Sequence, residues 1–312
     1  MGAPRPSPAS SSTARTGRGS AGPPWASRPT SSMRASTRWW TPSAGSSGTA
    51  QHRWRGMSVA ACAGLVERGD PDRFRAAMTA PVAAREKLFP LYAFNLEVAR
   101  APFVTKEPMI AEMRLQWWRD VVEEIVGGAP VRAHEVAAPL AQVVREAALP
   151  EAALDALVAA RRWDIYSDPF EDQAALDAHV DATAGGLMWL SAKALGAGDD
   201  EEGPIRRAGF GHGVALWLMA IPGFEERGKR PLVDGRPEAV REFARRGLEA
   251  LHDARKTRLS KAVVPALRAA WQAEGVLKRA VADPGRVAQG ALTPGPAAGA
   301  AALALRAATG RW

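Results

Sequence analysis

The residues of this 312-residue chain that could do chemistry are few and scattered. Two strings have the spacing D-x-x-x-D, Asp164/Asp168 and Asp177/Asp181. Carboxylates at i and i+4 share a helix face, and paired hard oxygens suit a divalent cation such as Mg²⁺. Both strings also have a plainer reading. Asp168 precedes Pro169, which pushes it out of helical geometry. Asp177 and Asp181 fall in the first half of an expected helix, where acids complement the dipole. His212, between two glycines, could act as a general base, but a lone histidine reads first as a hydrogen-bonded structural residue. Arg241, Arg245 and Arg246 are matched by Glu238, Glu242 and Glu249, a solvated face rather than a phosphate clamp. Gly209, Gly211 and Gly213 precede a helix but follow no strand, so a dinucleotide loop is a weak reading. No Ser-His-Asp set or Walker loop stands in for it. The single cysteine, Cys62, allows neither a disulfide framework nor a cysteine-based zinc cluster within the chain.

The elements that must position these residues read as helices throughout. Ala supplies 64 residues and Ile only 5, and alternating Val/Ile/Thr runs are absent, which leaves little for strands. Asp70-Pro71 predicts an N-cap followed by proline at the first helical position. Pro81 opens a helix to about Arg100, apolar around most of its circumference and therefore central. Pro108 opens another to Ile125, closed by Gly127-Gly128 and Pro130. Its rows Ile110, Met113, Trp117, Val121 and Leu115, Trp118, Val122, Ile125 predict a broad buried face. Further helices are expected over 133–148, 150–166, 171–195, 203–221, 236–259, 261–282 and 297–308. The result is one all-α domain of about ten helices. The longest apolar run, Val214–Ile221, is far below the ~18 residues that cross a bilayer.

Charge divides the chain. Residues 1–56 hold eight Arg, 12 Ser and no acidic residue, leaving 33 basic against 33 acidic side chains in residues 57–312. A neutral body argues against nucleic acid as a partner, since such binders concentrate positive charge on the folded surface. The Arg/Ser/Pro/Gly-rich head, 1–56, reads as disordered. Three origins stand open for it: upstream sequence with the true start at Met57, a natural tail, or a targeting segment. The first is preferred, and residues 57–312 form the helical domain.

The run Ala80-Pro81…Arg85…Leu91-Tyr92-Ala93-Phe94-Asn95, then Leu115-Gln116-Trp117-Trp118-Arg119-Asp120, resembles the squalene/phytoene synthase family. Leu176…His179…Ala184-Gly185-Gly186-Leu187-Met188 and Gly211-His212-Gly213 are similar to later motifs of that family, in the same order. The resemblance implies the all-α isoprenoid (terpenoid) synthase fold and a cavity lined by Arg85, Tyr92, Phe94, Asn95, Trp118, Gly185, His212 and Trp217. In the family, two Asp-rich clusters hold Mg²⁺ against prenyl diphosphate. The positions matched to the first are Ala99, Arg100 and Phe103, and those matched to the second are Pro222 and Glu226. Only Glu226 is acidic. No catalytic and no metal-binding residue is therefore assigned, and no cofactor is expected.

Pro222 with Lys229-Arg230 resembles the degenerate branch of complex I assembly factor-like proteins. That branch implies a non-catalytic, membrane-peripheral factor with a protein or prenyl-lipid partner. Its expected place is the cytoplasm, at the inner face of the inner membrane, or the mitochondrion in a eukaryote. The alternative is an active head-to-head prenyl diphosphate transferase of isoprenoid or carotenoid synthesis, which would need Mg²⁺.

Overall fold

The computed structural model describes Gly2 and residues 49–312, save Ser167 and Pro294. Among the described residues all regular structure is helical. The order is α1 (Thr49–Gly69), α2 (Pro71–Met78), α3 (Val82–Arg100), α4 (Pro108–Val126), α5 (Ala137–Glu146), α6 (Glu151–Ala159), α7 (Arg162–Tyr166), α8 (Gln173–Val180) and α9 (Gly186–Ala194). There follow α10 (Glu202–Glu225), α11 (Pro237–Lys256), α12 (Val264–Leu267), α13 (Ala273–Ala282), α14 (Gly285–Ala288) and α15 (Pro296–Ala308), with short 3₁₀ turns between some of them. The reading of residues 1–56 as a disordered head lies for the most part outside the described residues. Helix α1 begins at Thr49, so its first two turns fall on the head side of the boundary drawn at Met57.

Local signals place the starts and stops. Asp70 caps α2, its carboxylate accepting from the Arg73 N–H at 2.9 Å, with Pro71 in the first turn. Helix α4 ends at Gly127, and Gly128 adopts φ 77° just beyond it. Helix α3 is the central element, buried continuously from Leu88 to Leu96. Helix α10 is packed on α8, α9, α11 and α13, and α9 lies against both α10 and α3.

Four expectations are corrected. The helix expected over 150–166 breaks at Ala160-Arg161, the N–H groups of Arg161, Trp163 and Asp164 bonding three residues back, and α7 restarts with Arg162. The helix expected over 171–195 carries a π-turn, Asp181–Gly185. There the Thr183 hydroxyl donates to the carbonyls of His179 (2.8 Å) and Val180 (3.3 Å), a competition that loosens the ladder. The helix expected to stop before Pro222 continues to Glu225. Proline removes one ladder bond near the end, and burial of Ile221 and Phe224 outweighs that loss. Gly209, Gly211 and Gly213 accordingly lie inside α10, not before it.

The fourth correction concerns α4. Leu115, Trp118, Val121, Val122 and Ile125 are buried, but Met113 is 65% and Ile110 45% exposed. The buried stripe of α4 is narrower than its apolar pattern: α5, α6 and α7 pack on this helix, and Ile110 and Met113 stay outside that packing.

Candidate functional site

Two kinds of interior meet along α10. On one side glycine removes side-chain volume. A Cβ on Gly209 would lie 2.6 Å from the Gly185 Cα, and one on Gly211 would lie 2.5 Å from the Gly247 carbonyl. Real Cβ atoms are never that close, so α10 lies directly on the π-turn and on α11. Gly185, expected in the cavity wall, is the other half of this backbone contact.

On the other side runs a polar seam. Arg73 of α2 is 7% exposed. Its Nη2 is 3.5 Å from His212 Nε2, and its guanidinium lies 5.2 Å from the centre of the Tyr92 ring. Its Nε is 3.4 Å from Asp70 Oδ2 but makes no hydrogen bond. One turn along α3 from Tyr92, Asn95 accepts from Arg161 Nη2 at 3.4 Å. Arg161 Nη1 faces Asp164 Oδ2 at 3.6 Å. The break between α6 and α7 causes this inward turn of Arg161, while its neighbour Arg162 points outward to Glu112 at 2.9 Å.

Lys229 closes the seam. Gly228 adopts φ 74°, its N–H bonds the Glu225 carbonyl, and the Lys229 N–H bonds the Phe224 carbonyl. This Schellman-type cap folds residue 229 back over the end of α10. Lys229 Nζ then donates to the Asp164 backbone carbonyl at 2.6 Å, with Asp164 Oδ1 at 4.0 Å. It sits 4.9 Å from the Phe103 ring centre, 5.2 Å from Trp163 and 5.9 Å from Phe224, a cation held over aromatic faces.

Burial sets the protonation of these groups. It lowers His212 and His179 to about 3, with Arg73 and Arg161 respectively adding repulsion. Both imidazoles are therefore neutral, and His212 is a buried hydrogen-bonding residue rather than a base poised near neutrality. Burial also pushes the Tyr92 phenol up to about 12, opposed by Arg73. Asp164 is raised by burial and pulled back by Arg161 and Lys229.

The residues expected to line one cavity separate into several environments. Tyr92, Asn95 and His212 meet in the seam. Trp217 belongs to the adjoining aromatic cluster of Trp163, Phe170, His179 and Phe224, with ring centres 5.0–5.8 Å apart. Phe94, two residues on from Tyr92 and so about 200° around the helix, packs edge-on against Trp118 at 5.3 Å. Arg85 is half-buried near the start of α3, against Met78 Sδ at 3.6 Å. Arg73, Arg161, Trp163 and Phe170 were not read from the sequence as site residues. An arginine directly after a capped Pro-Asp pair gives no sign of facing inward.

The acid pairs are engaged elsewhere. Asp177 pairs with Arg246 and Asp181 with Arg206, Asp168 is exposed, and Glu226 is exposed at the end of α10. Arg246 is thus an interhelix partner, whereas Arg245 stays on the solvated face with Glu242 and Glu249. Among the described residues no three His, Cys, Asp or Glu side chains come together as a metal site. Nor is any helix there long and apolar enough to cross a membrane. Away from the seam, a surface groove of about 430 Å³ is lined by Ala148, Pro150, Trp189, Lys193, Asp199 and Arg206, among others.

Comparison with known proteins places this architecture. The fold is similar to a dehydrosqualene synthase solved with a ligand, with TM-score 0.69, 12% identity, and coverage of 82% of this chain and 98% of that one. It is also similar to the squalene synthase HpnC of Alicyclobacillus acidocaldarius, with TM-score 0.53, 15% identity, and 83% and 96% coverage. By sequence it is 26% identical over 162 residues to the human protein named NADH dehydrogenase (ubiquinone) complex I, assembly factor 6. It is 28% identical over 173 residues to the Drosophila melanogaster homolog of that factor. These alignments cover 52% and 54% of this chain, which spans about half the length of those relatives (48% and 52%). The squalene/phytoene synthase model matches residues 66–222, the stretch from the end of α1 to Pro222 that carries most of the seam: the chain belongs to the squalene/phytoene synthase family.

Proposed function

We propose that this chain is a non-catalytic member of its family that binds a protein or prenyl-lipid partner and serves the assembly of respiratory complex I. The observation that carries the reading is Lys229. At the end of α10, near the position matched to the second metal cluster, the chain seats its own ammonium group against Asp164 and the Phe103, Trp163 and Phe224 rings. Phe103 is itself matched to the first cluster. The donors there do not suit Mg²⁺, which takes several hard oxygens in octahedral array. Ala99, Arg100, Phe103 and Pro222 offer no carboxylate, and a guanidinium or ammonium repels a divalent cation. No step through a metal is therefore assigned. The names of the human and fly relatives support the assembly role and a mitochondrial place in a eukaryote. Association with the inner face of the inner membrane would then be peripheral.

The role is tested in a deletion strain. Reduced assembled complex I, restored by the wild-type chain, is the expected result, and normal levels remove the assembly role. Turnover is tested with farnesyl and geranylgeranyl diphosphate plus Mg²⁺, following pyrophosphate release. No release from folded protein is expected. Release that disappears in Glu226→Ala would make the chain an active prenyl transferase.

A further inference from the structure

Large apolar side chains left in water gather at one place, away from the seam. Among the described residues Val104, Met109, Ile110 and Met113, 58%, 76%, 45% and 65% exposed, fall within ten residues at the start of α4. Exposed apolar residues scattered singly are ordinary, whereas a contiguous patch marks an interaction surface. Met109, Met113 and the half-buried Trp117 follow one another at four-residue steps, with Ile110 beside them, so they form one stripe along the helix. Methionine suits such a stripe because its unbranched thioether adapts to an opposing surface.

The charges around the stripe indicate what lies on it. Glu107 is the N-cap residue of α4, its carbonyl accepting from the Ile110 and Ala111 N–H groups at 3.1 and 3.2 Å. Arg114 stands seven residues on, within about 20° of two full turns, so the two charges flank Ile110 on one face. Both are exposed. Nearby, Glu112 is held by Arg162 at 2.9 Å and Arg119 by Asp155 at 2.6 Å, but Glu107 and Arg114 enter no ion pair among the described residues. A helix that lies on a lipid surface carries mainly Lys and Arg around its apolar face. Here acid and base alternate, a pattern complementary to itself when reversed.

We propose that this stripe is the contact through which two copies of the chain associate, their α4 helices antiparallel about a twofold axis passing between Ile110 and Ala111. In such a contact the same patch serves both copies. The axis sets Glu107 opposite the partner's Arg114 and Arg114 opposite the partner's Glu107, with the Ile110, Met109 and Met113 side chains between the two ion pairs. A parallel twofold would instead set Glu107 on Glu107 and Arg114 on Arg114. The patch is smaller than the roughly 800 Å² per partner of a standard interface, so the dimer is a reversible one, with a dissociation constant of about 1–100 μM. The inference concerns a face outside the family's cavity and does not rest on the assembly role.

The test is analytical ultracentrifugation of the full chain from low micromolar to several hundred micromolar. A concentration-dependent rise from monomer to dimer mass is expected. Met113→Glu should weaken association at least tenfold, while Leu305→Glu, an equally exposed apolar site on α15, should leave it unchanged. Glu107→Arg, which sets arginine against arginine, should weaken it at least fivefold. Combining it with Arg114→Glu exchanges the signs and should restore wild-type association. All four positions are exposed, so the variants fold. A monomer at every concentration overturns the proposal, and so does a dimer that survives Met113→Glu or is not restored by the double exchange. If the monomer instead sediments with phosphatidylcholine vesicles containing phosphatidylglycerol, and Met113→Glu abolishes this, the stripe is a lipid contact and the proposal falls.

Discussion

Helix α10 borders two regions that bury their surfaces by opposite means. Against the π-turn and α11 the close contact is backbone on backbone, with Gly209 on Gly185 and Gly211 on Gly247, and the Asp181–Arg206 ion pair lies at its half-exposed edge. Against α2, α3 and the α6–α7 break it buries arginines, histidines and an aspartate, with several atoms left unpaired. The first region is specified by volume and gains from close packing. The second carries desolvation costs that packing alone does not require. A chain that merely needed a filled core would do better with leucines there.

That contrast can be broken or sharpened by experiment. The largest effect belongs to Asp164→Ala, which strips the counter-charge from Arg161 and Lys229. Urea unfolding should show a loss of roughly 3–5 kcal/mol, and a loss below about 1 kcal/mol would mean the seam is effectively solvated. Gly209→Ala comes next. Its new Cβ meets the backbone of Gly185, and overpacking of this kind costs roughly 2–3 kcal/mol, even after alanine's better helix propensity. A stability equal to wild type would show that the π-turn yields.

The seam should also answer to acid where the glycine junction does not. In the unfolded chain His179 and His212 take up a proton below about pH 6.5, whereas in the folded chain they hold it off until about 3. The unfolded state then binds more protons, so stability falls as pH drops through that window. The expected loss is about 2 kcal/mol per histidine at pH 5. Replacing His212 by Gln should flatten its share of the slope in a pH series of unfolding curves, and an unchanged slope would contradict its burial as a neutral ring.

A smaller loss, about 1 kcal/mol, is expected for Gly228→Ala, because φ 74° is strained for any residue with a Cβ. The variant should also displace Lys229, visible as altered tryptophan fluorescence from Trp163. Arg245→Ala, in its solvated triad with Glu242 and Glu249, should leave the unfolding midpoint where it was.

Much of this was legible in the residues because it depends on near neighbours. The Asp70 cap, the Gly127-Gly128 stop, the central burial of α3 and the family resemblance follow from local chemistry and from motifs in order. Where reading failed, a distant partner decided. Pro222 ends a helix by its own geometry, yet the core contacts of Ile221 and Phe224 carry α10 past it. Ile110 and Met113 are as apolar as Leu115, yet the helices beside α4 leave them uncovered.

By itself, then, the sequence determined the all-helical class, the position of most helix ends and which residues stand where the family resemblance expects metal-binding carboxylates, Glu226 alone being acidic. Only the tertiary structure decided which of the adjacent Arg161 and Arg162 is buried and which of Asp164 and Asp168 meets a lysine. It also decided that Lys229, 65 residues from Asp164, is the group that meets it. A charge enters an interior only where its counter-charge and hydrogen-bond partners arrive from other segments, and no local pattern records their arrival.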